Sequence, residues 1–420
     1  MRARAAGSAR PKAAEASAAR LMLRVVAPLA AGFFLSNYYR SLNAILSPRL
    51  IADLGLSARD LGLLTSVYFF TAALVQVPLG LLMDRYGPRR VQGALMAIAT
   101  LGLLMFALGE TMGVLLLGRA IMGVGAAGAL MICFQAIVLW FPASRWPSLN
   151  GLALTIGGLG ALAASLPSEL ILGVTDWRGL LLGTAVASLA VSVWTLAAVP
   201  DRRADAKRGS LAEQLSGLAA VLRDRLFWRV APITGAVTGC SLSFQGLWSG
   251  PWLKDVGLLG SAGIATSLLV LTTLMTLSFA AIGAVADWLG RRGIALTKIV
   301  GIGVPLSLLC QLPLLLPSGA GRWIVMVGMG ALGNVVTLSY PVLSNHVSPA
   351  LSGRASTAMN LVVFVSAFAA QYALGAVIDL FPPVAPGSYP VAAYQVAFAG
   401  MILVETMAWL WFLIPMEKRR

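Results

Sequence analysis

One histidine in 420 residues leaves almost nothing with which to build a metal centre or a proton relay. The chain also lacks the Gly-x-x-x-x-Gly-Lys-Ser/Thr loop that cradles nucleotide phosphates and the Gly-x-Ser-x-Gly turn that presents a serine nucleophile. These absences argue against ATP-driven work and against an enzyme, and no cofactor is expected. The fifteen methionines form no paired Met/His arrangement, so no metal is expected either. Cysteine is scarce as well. Cys133, Cys240 and Cys310 all fall in apolar stretches, where a thiol behaves as a small hydrophobe, and no disulfide framework follows. The scarcest commodity is charge: 11% of residues are charged against 58% hydrophobic, with mean hydropathy +0.84. So little polar surface cannot coat a water-soluble globule, and the lipid bilayer is the expected surrounding.

What is present fits that surrounding. A membrane-spanning helix needs about 20 mostly apolar residues, and the sequence divides into twelve such stretches: 24–46, 60–83, 91–109, 113–140, 148–173, 178–198, 229–252, 262–286, 294–315, 321–345, 354–380 and 392–414. The expected fold class is an all-α membrane protein with twelve transmembrane helices in two six-helix bundles. Its expected parts are a disordered tail at 1–23, a bundle at 24–198, a linker at 199–228, a second bundle at 229–415 and a short tail at 416–420. A net charge of +15 in a soluble chain would suggest nucleic acid. Here most of the basic residues fall in alternate loops and both tails, which is the pattern that places them, and both termini, in the cytoplasm. No nucleic acid partner is expected. The second half of the linker, from Leu211 to Leu222, has apolar residues at helical spacing, as expected of a helix along the membrane surface.

One signature occurs twice. Gly80, Asp84, Gly87, Arg89 and Arg90 recur as Gly283, Asp287, Gly290, Arg291 and Arg292, in a spacing that matches to within one arginine, with Arg85 inside the first copy. Duplication in a chain this apolar points to a transporter built from related bundles with its site between them. A carboxylate beside arginines at a helix end can hold a neighbouring helix in one conformation and release it in another.

Twelve spans in two halves, with this loop after the second and eighth, resemble the major facilitator superfamily, and Arg119-Ala-Ile-Met-Gly123 looks like its fourth-span Arg-x-x-x-Gly motif. The resemblance implies alternating access. It implies that Asp84 meets the start of the eleventh span near Arg354 and Asp287 the start of the fifth near Arg145. It also implies that the first, fourth, seventh and tenth spans line the cavity. That promotes Gln135, Gln245, Trp248, Asn334 and Tyr340 as substrate contacts.

Arg40 is the costliest residue to bury, since a central arginine is unfavourable by about 2.5–3.5 kcal/mol on insertion scales. It shares a helical face with Ser36 and Asn43, with Asn37 beside it, giving a polar stripe. Tyr39-Arg40 followed by Pro48 is similar to the first span of the superfamily's organophosphate and organic-anion antiporters. Their second arginine would fall near Ser243 to Gln245, where this chain has no charge, so one arginine and a monoanion such as a carboxylate or a zwitterion are expected. Glu169, Asp379 and Glu405 are the acids available for proton coupling. The expected function is ion- or proton-coupled uptake of a small polar or anionic solute across the inner membrane, by a monomer. Drug or metabolite efflux by the same fold, and a non-transporting sensor or assembly factor, are the alternatives.

Overall fold

The computed structural model describes residues 20–142, 145–201, 211–348 and 351–414. Most of the expected N-terminal tail, residues 202–210 of the linker and the tail at 416–420 lie outside the described residues. The described residues form twelve helical passages: α1 (22–54), α2 (58–86), α3 (88–108), α4 (Met112–Trp140), α5 (Ser148–Leu172), α6 (Trp177–Ala198), α7 (225–255), α8 (Ser261–Gly290), α9 (Leu296–Leu315), α10 (Gly319–His346), α11 (Ser352–Ile378) and α12 (Val391–Leu413). A separate linker helix runs from Leu211 to Leu222. Ten helices are long and apolar enough to cross a membrane. The remaining two passages, α1 and α7, are also interrupted: α1 breaks at Leu42 and contains Pro48, and α7 carries a π-helical turn at Phe244–Trp248.

Local chemistry sets the ends. Ser57 and Asp60 form a reciprocal capping box that starts α2. Asp176 caps α6 and Asp224 caps α7 through backbone amides. Gly87 alone separates α2 from α3, at φ 74° and ψ 164°. Only glycine adopts that backbone readily, which is the physical reason for Gly87; in the second copy Gly290 is helical and the left-handed residue is Gly293, at φ 79°. Gly87→Ala is therefore expected to cost about 1–3 kcal/mol, read as a lower midpoint in thermal unfolding of the purified protein.

Successive passages alternate between two ends. One, here the basic face, carries Arg85, Arg89, Arg90, Arg145, the linker, Arg291, Arg292 and Arg354. The opposite face carries the turns at 55–57, 109–111, 173–176, 256–260, 316–318 and 379–390. Contacts between the halves α1–α6 and α7–α12 gather from mid-membrane to the opposite face. There the Tyr389 hydroxyl accepts from the Ala58 amide at 3.0 Å and donates to Asp379 at 2.8 Å. Burial pushes that hydroxyl up to about 12, so it stays a neutral donor throughout the physiological range. Phe69 meets Phe364 and Phe70 meets Phe368 deeper in the interface. A Cβ on Gly62 would stand 2.9 Å from the Gln371 carbonyl and 3.3 Å from the Gly375 Cα, so α2 and α11 meet backbone to backbone.

The basic face is different. Among the described residues no ion pair or aromatic contact joins the two halves there, and Asp287 is exposed. The two halves are closed over the opposite face and parted at the basic one.

Candidate functional site

The centre of the bundle is built from broken helices. α1 breaks at Leu42, α4 at Ala127–Gly128, α7 at its π turn and α10 at Gly333–Asn334 followed by a 3-10 turn at Val335–Leu338. α5 has a further break at Ala164–Ser165. Each break frees backbone carbonyls that lipid cannot satisfy, so polar side chains must. Ser36 donates to the Ala126 carbonyl at 3.1 Å and Gln76 to the Ala127 carbonyl at 2.9 Å, closing the gap in α4. Asn334, at the break in α10, donates to the Met275 carbonyl at 3.0 Å and to Ser278 at 2.8 Å.

Several expected site residues are thus engaged in holding helices together. Asn43 donates to Thr65 at 2.8 Å, joining α1 to α2. The Tyr340 hydroxyl donates to Asn360 at 2.6 Å, joining α10 to α11. The Trp248 indole donates to the Gln371 carbonyl at 3.3 Å, with its ring against Gly62 and Gly375 in the closed interface. Gln245 is buried in the π turn, and Gln135 is half-buried on α4 with an unpaired carbonyl oxygen. Asn43→Ala is expected to lower stability by about 0.6–1.7 kcal/mol and to leave ligand affinity within twofold, which a calorimetric titration checks.

Arg40 keeps part of its surface open, and its NH2 group donates to Asn37 Oδ1 at 2.5 Å. Sequence reasoning missed its companion. Arg119 on α4 is 2% exposed, donates to the Tyr39 carbonyl at 3.3 Å and lies 4.8 Å from the centroid of the Phe106 ring. Arg119 thus meets α1 at the residue before Arg40, and the Tyr68 hydroxyl of α2 donates to the Ser36 carbonyl one turn earlier on the same helix at 3.4 Å. Neither arginine has a carboxylate within ion-pair distance among the described residues. The signal was in the Arg-x-x-x-Gly spacing. A Cβ on Gly123 would stand 2.3 Å from the Tyr68 carbonyl, so the glycine lets α4 close on α2, and Arg119 one turn away is carried to the Tyr39 carbonyl. The centre holds two arginines, where sequence reading counted one.

The chain belongs to the major facilitator superfamily. The superfamily's model matches residues 29–371. A probable sulfoacetate transporter of Cupriavidus necator is 22% identical over 379 residues, covering 83% of this chain and 85% of the relative. A probable L-galactonate transporter of Escherichia coli K12 is 24% identical over 346 residues, 78% of this chain and 76% of the relative. Among solved structures, a bacterial homologue of the human lysosomal transporter Spinster, inward-facing and unoccupied, has a TM-score of 0.73 at 17% identity, covering 92% of this chain and 95% of that one. This superfamily member is a multi-pass membrane transporter, and members of the superfamily bind small molecules within the membrane.

The expected gate residues lie on the basic face. Asp84 and Asp287 are unpaired among the described residues. Arg85 lies over the Tyr86 ring, Arg292 lies 3.7 Å from the Trp288 centroid, and Arg90 pairs with Asp201 at 2.7 Å. Arg354 packs against Gly217 of the linker helix, while Arg89 is half-buried and Arg145 and Arg291 are exposed. The three acids are dispersed. Glu169 accepts a two-bond pair from Arg49 at 2.9 and 3.0 Å, joining α5 to α1 within one half. Asp379 accepts from Tyr389, and Glu405 is fully buried, accepting from Gln311 at 2.8 Å beside Cys240. An apolar groove of about 650 Å³ between α7, α11 and α12 is lined by Ala, Val, Leu and Met and stands apart from the arginines.

Proposed function

We propose that this transporter moves small organic anions across the inner membrane by alternating access, with both termini in the cytoplasm and the basic face turned inward. The observation that carries this reading is that Arg119 bonds the Tyr39 carbonyl next to Arg40, and that neither arginine has a carboxylate within ion-pair distance among the described residues. Two uncompensated guanidiniums inside a membrane protein are costly unless an anion joins them. Two charges extend the substrate class from monoanions to dianions such as a carboxylate joined to a sulfonate or phosphate. The relatives that carry sulfoacetate and L-galactonate in their names support an acidic solute.

The unpaired Asp84 and Asp287 fit the released state of an inner latch, whose partners in the other state would be the starts of α11 and α5. Asp379 accepts from the Tyr389 hydroxyl that bridges to Ala58 across the closed face, and a proton on it would weaken that closure; Glu169, held by Arg49 near the same face, is the second candidate for coupled uptake. The unit of function is taken to be the monomer. Purified protein titrated with sulfoacetate, a dianion, L-galactonate, a monoanion, and neutral D-galactose tests the reading. Binding of an acid but not the neutral sugar is expected. Equal binding of the sugar, or no binding of either acid, overturns it.

A further inference from the structure

Asn37 stands where a single atom decides the charge of the site. Its Nδ2 donates to the Phe33 carbonyl at 3.0 Å and its Oδ1 accepts from Arg40 NH2 at 2.5 Å. This orientation is forced. Turning the amide over would set its NH2 against the guanidinium donors and its oxygen against a carbonyl oxygen. The residue is buried, and one helical turn holds it under Arg40. It aims the guanidinium without neutralising it.

Asp has the same shape as Asn but carries a charge. At this position it would still accept from Arg40, and the resulting ion pair would cancel the positive charge offered to a ligand. No carboxylate occupies that role among the described residues. The geometry points to Asn37 as a positioning residue that sets specificity: its neutrality keeps Arg40 free, so that together with Arg119 the site presents two positive charges and favours dianions over monoanions. This inference rests on the anion reading above and adds the residue that determines which anions are taken.

The test compares Asn37→Asp with Asn37→Thr, a neutral loss of the same acceptor geometry, and with Arg40→Gln, by titrating each full-length purified protein with sulfoacetate and L-galactonate. Asn37→Asp is expected to weaken sulfoacetate binding at least tenfold and at least threefold more than it weakens L-galactonate. Asn37→Thr is expected to weaken both equally. In an Arg40→Gln background, Asn37→Asp should lose most of its preference between the two. Equal effects of Asp and Thr on both acids would mean that Asn37 only braces the helix, and the inference falls. Should Asn37→Asp fail to fold, unequal effects of Asn37→Thr on the two acids overturn it, because that variant leaves the charge untouched. If Arg40→Gln itself binds both acids like the unaltered protein, the anion reading fails with it.

Discussion

Arg40→Ala and Arg119→Ala are each expected to weaken sulfoacetate binding by about 10- to 100-fold, and their combination to abolish uptake into proteoliposomes. The size follows from a charge-assisted hydrogen bond worth about 1.5–3 kcal/mol, with each 1.4 kcal/mol a factor of ten. The two should differ in what else they lose. Arg119 is packed against Phe106 and bound to the Tyr39 carbonyl, so its removal also loosens α4 from α1 and lowers thermal stability. Among the described residues Arg40 has Asn37 as its one hydrogen-bond partner, so its removal should leave stability near that of the unaltered protein. Arg40→Lys keeps the charge without the planar fork and should recover part of the affinity. Affinity within threefold of the unaltered protein for both alanine variants would remove the arginines from the site.

Gly62→Leu is expected to eliminate transport while leaving the protein folded. In the closed arrangement any side chain at 62 collides with the Gln371 carbonyl and the Gly375 Cα, and these are backbone atoms that cannot yield. Closure of the opposite face also carries the Ala58–Tyr389 bond and the Phe69–Phe364 and Phe70–Phe368 contacts, so a wedge at 62 separates them all. The expected readout is a loss of uptake beyond about 30-fold, because the inward-open state would be disfavoured by more than about 2 kcal/mol. A thiol reagent that reaches a cysteine placed at Phe69 from the opposite face should react faster in the variant than in its parent. Normal uptake by Gly62→Leu would show that the opposite face does not need to close this tightly.

These two outcomes bear on different kinds of information in the chain. Spans, loops and the twofold plan were legible because the bilayer imposes them: some twenty apolar residues per crossing, basic residues between, and a duplicated Gly/Asp/Arg loop. Gly87 was legible for the same kind of reason, since its backbone angle is a local property. Arg40 was legible because an arginine in an apolar run is expensive wherever it points. Its polar neighbours were not, because side-chain composition does not say which groups a broken helix will claim. Ser36 and Asn43 read as a polar stripe and Asn334 as a substrate contact, and in the structure all three are bonded to carbonyls or hydroxyls of neighbouring helices.

The sequence by itself determined that this chain crosses the membrane many times in two related halves, because burial in lipid is a sum over residues that needs no knowledge of their partners. Only the tertiary structure decided that Arg119 comes beside Arg40, 79 residues away in sequence, by bonding the Tyr39 carbonyl, and that the halves meet at one face alone. Charge at a site depends on which helices touch, and helix contact in lipid is set by small residues such as Gly123 whose mates are visible only once the bundle is assembled.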